Sequence, residues 1–128
     1  MARDFNIDAL TYYYRGLDNN SYQNLQESLI VGNSLLTARG IPCAGEGDMK
    51  TALAMKICDI CQAGGSFCEI VAADYCSQTM ILGHDGPFHV RISDKKPLLR
   101  GMGLYHGKWG NGVSVEAQVK AGPVTCLG

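Results

Sequence analysis

The spacing of apolar residues changes once along this 128-residue chain, at Gly64-Gly65. Before that point apolar residues recur at helical intervals; after it they alternate or run in short blocks between glycines. This switch of period predicts an α+β chain: two N-terminal helices from the end of an α/β domain (residues 1–64), then a mainly antiparallel β domain forming a partial barrel (residues 65–128). No internal repeat or low-complexity segment interrupts the reading.

Residues 6–14, with Tyr12, Tyr13 and Tyr14 in succession, favour a strand. Ser21 is placed to cap a helix with Leu25, Leu29, Ile30, Leu35 and Leu36 on one broad face. Gly40 and Pro42 should end it. Asp48 is placed to cap a second helix, whose Met49, Leu53, Ile57, Ile60 and Cys61 read as a buried stripe. Strands are predicted at 68–75, 79–83, 88–93, 98–105 and 113–120, with another beginning at Val124. The final residues fall within an apolar run, so a piece of a longer chain is expected.

Charge and composition narrow the function classes. Lys plus Arg number 11 against 12 Asp plus Glu, so no charge excess draws the chain to nucleic acid or an anionic membrane. Hydrophobic residues at 46% with 18% charged describe a folded chain rather than a disordered one. The first ten residues lack the apolar core of a signal peptide, and no apolar run approaches the ~20 residues of a membrane span. A cytoplasmic protein is expected. Six cysteines without a secretion signal read as small buried hydrophobes. The Cys58/Cys61 pair ends a helix rather than beginning one and has no second pair at zinc spacing, which speaks against redox or structural zinc roles.

Three places concentrate chemistry-bearing residues. In Gly45-Glu46-Gly47-Asp48, flanking glycines leave the Glu46 carboxylate unshielded beside a helix N-terminus, although an ordinary capped turn has the same composition. The stretch is not a phosphate loop, since an acid stands where phosphate would sit. Glu69 is an acid in the apolar run 66–73; it either faces solvent or points inward to a cation or proton. His84, Asp85 and His89 share a turn built by Gly83, Gly86 and Pro87, either as a functional loop or as a surface hairpin turn. His106, beside Trp109, is a further candidate. Together Glu46, Glu69 and His84 would offer an O,O,N set suited to Mn²⁺, Mg²⁺, Co²⁺ or Zn²⁺.

At these same residues the chain resembles the L-arabinose and L-fucose isomerase family, in its arabinose isomerase-like branch. The matching stretches are GIPCAGEGDMKTALAMKI (40–57), GGSFCE (64–69), MILGHDGPFHV (80–90) and GVSVEAQVKAGPVT (112–125), with YYYRG and LLTARGIP upstream. The resemblance implies a metal-dependent aldose–ketose isomerase, cytoplasmic and homo-oligomeric, acting on a small-molecule sugar (a pentose or 6-deoxyhexose). It implies a divalent metal, foremost Mn²⁺, with no nucleic acid or membrane partner. It sets Glu46 and Glu69 on the two catalytic, metal-binding glutamates and His84 on the first metal-binding histidine. The family's second metal histidine lies well downstream and is not assigned to His106. Val71 stands where arabinose isomerases place a tyrosine, so the sugar is not specified. The family's N-terminal domain is also absent, which implies that these 128 residues do not turn over substrate by themselves.

The implied reaction moves a proton between C1 and C2 of an open-chain sugar through an enediol. Glu46 and Glu69 would share the acid–base work, and His84 would be a neutral imidazole ligand, with Asp85 steadying its other nitrogen. Two alternatives stand beside it. One is a sugar- or metal-binding α+β module without chemistry. The other is a structural piece in which Glu46, Glu69 and His84 face solvent separately.

Overall fold

The structure, a computed structural model, describes residues 2–13, 21–105 and 108–127. Tyr14, within the first predicted strand, and His106 lie outside the described residues. The fold is mixed α+β, with three helices, three two-stranded pairings and no closed barrel among the described residues.

The first half is a small parallel β pair braced by helices. Strand β1 (Leu10–Thr11) pairs in parallel with β2 (Cys43–Ala44). Among the described residues of the predicted 6–14 strand only these two enter a ladder; Ala2–Asn6 form a turn, with Ile7 N–H donating to the Ala2 carbonyl at 2.9 Å. The first predicted helix is two: α1 (Ser21–Ser28) and α2 (Ile30–Thr37). At the break, Ser28 Oγ donates to the Leu25 carbonyl at 2.7 Å, and Leu29 N–H turns to Gln26 at 3.1 Å, tightening the last turn. Gly40, at φ +86°, ends the segment as predicted.

The apolar faces expected to be buried are mostly exposed. Leu25, Leu29 and Leu35 face solvent, while the inner side of these helices carries Glu27, Ile30, Ser34, Thr37 and Ala38. Ser34 and Thr37 work there as staples: the Ser34 Oγ accepts from Phe88 N–H at 2.9 Å, and the Thr37 Oγ1 accepts from Cys43 N–H at 3.0 Å.

Helix α3 (Met49–Ile60) starts at the predicted cap, where the Asp48 carboxylate accepts from Thr51 N–H at 2.9 Å and Thr51 Oγ1–H at 2.7 Å. These bonds favour the ionised carboxylate and hold it below the usual range. Its buried side is Ala52 and Met55, which join Ala44 and Phe67 in the core. The predicted stripe is turned the other way, with Met49 76% and Ile60 70% exposed. The small Ala52 permits close approach to β2, so the helix packs by its narrow side. Of the cysteines expected in the core, only Cys43 is buried; Cys61, Cys68, Cys76 and Cys126 are exposed, and all six are free thiols. Burial pushes the Cys43 thiol up to about 11.

The second half holds two antiparallel hairpins. Strands β3 (Glu69–Asp74) and β4 (Thr79–Gly83) match their predicted segments closely, with a bulge between Ile70 and Ala72. Their tip is closed by Asp74, which accepts from Cys76 N–H at 2.9 Å and Ser77 Oγ–H at 2.6 Å. Strands β5 (Leu98–Tyr105) and β6 (Lys108–Glu116) form the other hairpin, and β6 runs beside α1 and α2.

Two predicted strands are not strands. Residues 88–93 form a 3₁₀ turn at Val90–Ile92, because Phe88 and His89 N–H groups donate to Ser34 Oγ and Ser66 Oγ rather than to a ladder. Residues 117–120 leave β6 and meet that turn through the Ser93–Val119 bridge and Lys120 N–H to Ile92 at 2.9 Å. Residues from Val124 onward form no strand in the described chain.

Candidate metal centre

His84 follows β4 directly, so the ladder that fixes Gly83 opposite Glu69 also fixes the distance between imidazole and carboxylate. His84 Nδ1–H donates to Glu69 Oε2 at 3.3 Å. The two side chains differ in surroundings: His84 is 6% exposed and Glu69 is 51% exposed. Asp85, the next residue along the turn, completes a group. One ligand atom each from Glu69, His84 and Asp85 lies within 4.8 Å of the others.

The buried side of the imidazole is shaped by four residues far apart in sequence. Phe67 meets it edge-on, with centroids 4.6 Å apart and an interplanar angle of 67°. Tyr12 OH lies 3.4 Å from Nε2. Gly45 lies against the ring; a Cβ there would stand 3.0 Å from Cε1. Gly86 closes the pocket, since a Cβ at that position would overlap both His84 Nε2 and Tyr12 OH. Two glycines are therefore required for close approach.

Glu46 is one residue beyond Gly45 and is held at φ +58°, a left-handed conformation that disfavours a side chain. The turn is fixed on both sides: Gly47 N–H donates to the Tyr12 carbonyl at 2.7 Å, and Asp48 N–H donates to Gly45 at 3.0 Å. The structure thus brings together Glu69 and His84 of the predicted set and adds Asp85. It leaves the Glu46 carboxylate outside this group, on the adjoining turn. Sequence marks Gly86 only as a builder of the His84 turn and Tyr12 only as a strand residue, and it gives Phe67 no role.

His89, the other histidine of that turn, faces elsewhere. It is 5% exposed, stands beside Gly64, and its Nδ1 finds no hydrogen-bond partner among the described residues. Burial disfavours its charged form and lowers its pKa, against a smaller opposing effect of Asp59.

The donor set fits a hard or borderline divalent cation: two carboxylates and one imidazole, with solvent access on the Glu69 side. Glu69, His84 and Asp85 would hold such an ion; were Nδ1 the ligating nitrogen, the ring proton would sit on Nε2, whose N–H could donate to the Tyr12 oxygen 3.4 Å away. Comparison with protein-family models, with curated proteins and with solved structures finds no match. No helix among the described residues is long and apolar enough to cross a membrane.

Proposed function

We propose that this chain carries the metal-ligating part of an aldose–ketose isomerase of the L-arabinose/L-fucose isomerase kind. The observation that carries the reading is the 3.3 Å contact between Glu69 and His84, two residues singled out independently from the sequence, with Asp85 beside them. Glu69, His84 and Asp85 would hold the ion, foremost Mn²⁺. When bound, a divalent ion supplies Lewis-acid stabilisation of charge developing on the sugar oxygens. Glu69 is half exposed and can take or return the proton that moves between C1 and C2. Glu46, on the strained turn one residue from the imidazole contact, is the second proton carrier. Phe67 and Tyr12 hold the ring and its tautomer, and the aromatic wall keeps water from that side.

The substrate on this reading is a pentose or 6-deoxyhexose, and the enzyme is a cytoplasmic homo-oligomer. Exposed apolar side chains on α3 and on the β3–β4 hairpin are what such an assembly would bury.

The test has two readouts. Mn²⁺ uptake by this chain, followed by electron paramagnetic resonance, should weaken at least tenfold in Glu69→Gln. Isomerisation of an aldopentose by the longer chain that the resemblance implies should fall at least a hundredfold in the same variant. Unchanged uptake and turnover would overturn the reading. The position of Glu46 outside the close group favours a second reading, a metal- and sugar-binding module without chemistry. Sugar binding without turnover in the longer chain would select it.

A further inference from the structure

His84 and Asp85 also line an open cleft of about 330 Å³ together with Arg100, Ser114 and Glu116 of the β5–β6 hairpin. The hairpin register sets Arg100 opposite Ser114, and Glu116, two residues further on, falls on the same face. Arg100 Nε–H and Nη2–H both donate to Glu116 Oε2, at 2.9 and 2.7 Å. With side chains 70% and 54% exposed, this pair adds little to stability. Its donors and acceptors nonetheless line the cleft.

The chemistry of that lining selects a kind of ligand. Arg100 offers only donors, Glu116 only acceptors, and Ser114 both. Neighbouring hydroxyls of a polyol match this alternation, since each can give and receive a hydrogen bond. An anion would match Arg100 alone and be repelled by Glu116. With the carboxylates of Glu69 and Asp85 balanced by a divalent ion, the cleft has no net positive charge to offer a phosphate.

We infer that Arg100 and Glu116 form the distal half of a binding cleft, gripping adjacent hydroxyls of a polyol chain whose other end lies at His84 and Asp85. The inference rests on the metal-centre reading above and adds the residues that read the substrate away from the ion.

Titration calorimetry of the Mn²⁺-loaded chain with a pentitol, and with the same pentitol bearing a terminal phosphate ester, tests it. The pentitol should bind the wild type better than the ester does. Arg100→Gln and Glu116→Gln should each weaken pentitol binding about tenfold without changing Mn²⁺ uptake. Glu116→Gln should in addition shift preference toward the ester, because it leaves Arg100 unbalanced. Failure of the loaded wild type to bind pentitol, tighter binding of the ester, or full pentitol affinity in both variants would overturn this inference while leaving the metal centre standing. Absence of Mn²⁺ uptake by the wild type would overturn both.

Discussion

The two sides of His84 are built on opposite principles. On one side Phe67, Tyr12, Gly45 and Gly86 press on the ring, and the neighbouring Ala44, Ala52 and Met55 are buried. On the other side the β3–β4 hairpin has no buried residue; Ile70, Val71, Tyr75, Met80 and Ile81 all face solvent. A two-stranded hairpin alone is marginally stable. Here it is pinned at its open end by the His84 contacts and at its tip by Asp74. The packed side therefore determines where the imidazole sits, and the open side determines what can reach it.

The sharpest way to break this division is to hollow the packed side. Phe67→Ala removes a buried ring from both the core and the His84 wall, and should lower unfolding stability by about 3–5 kcal/mol in urea denaturation. A loss below about 1 kcal/mol would mean that Phe67 does not support the core. Overfilling the same side is the next largest effect. Gly86→Ala puts a methyl where His84 and Tyr12 already stand, and should cost about 1–3 kcal/mol. Mn²⁺ affinity should fall in parallel; full affinity in Gly86→Ala would show that the ring position is not set there.

Glu46→Gly sharpens the contrast at the border of the two sides. It relieves a left-handed backbone and should raise stability by about 1 kcal/mol. If Glu46 is a proton carrier, isomerase turnover of the longer chain should nonetheless be lost. A variant that is both more stable and fully active would remove Glu46 from the mechanism. The smallest effect concerns His89. Its pKa is lowered from 6.5 by burial, so the folded chain resists a proton that the unfolded chain accepts. Stability should accordingly be intact above pH 6.5 and decline as the pH falls below it. His89→Gln should flatten that decline, and an unchanged pH profile of the urea midpoint would refute the assignment.

How much of this was legible in the sequence depended on whether the signal was local. The Asp48 cap, the Gly40 stop and the bounds of β4 and β5 rest on neighbouring residues and stand where the pattern puts them. The stripe Met49–Leu53–Ile57–Ile60, expected to be buried, faces solvent instead, because periodicity identifies an apolar face without saying what covers it. Residues 88–93 have strand composition and form a 3₁₀ turn because Ser34 and Ser66, distant in sequence, take their donors. At the site, Glu69 and His84 were recognisable as a charged residue in an apolar run and a histidine on a glycine-rich turn. Asp85 entered the close group through the direction of that turn, which residue spacing does not encode. Tyr12 and Phe67 resembled ordinary strand residues, and only tertiary packing places them against the ring.

The contact between Tyr12 and His84 spans 72 positions of the chain. Closing a loop of that length carries an entropic cost that local turns avoid, so it belongs to the late stages of folding. The imidazole thus acquires its surroundings only when the chain has found its overall topology, and any ion or small molecule that requires those surroundings acts as a ligand of the native state alone. At one hundred times its dissociation constant such a ligand stabilises the fold by about 2.7 kcal/mol. Occupancy of the centre and integrity of the fold are by this linkage a single equilibrium, and a thermal melt with and without Mn²⁺ reads both.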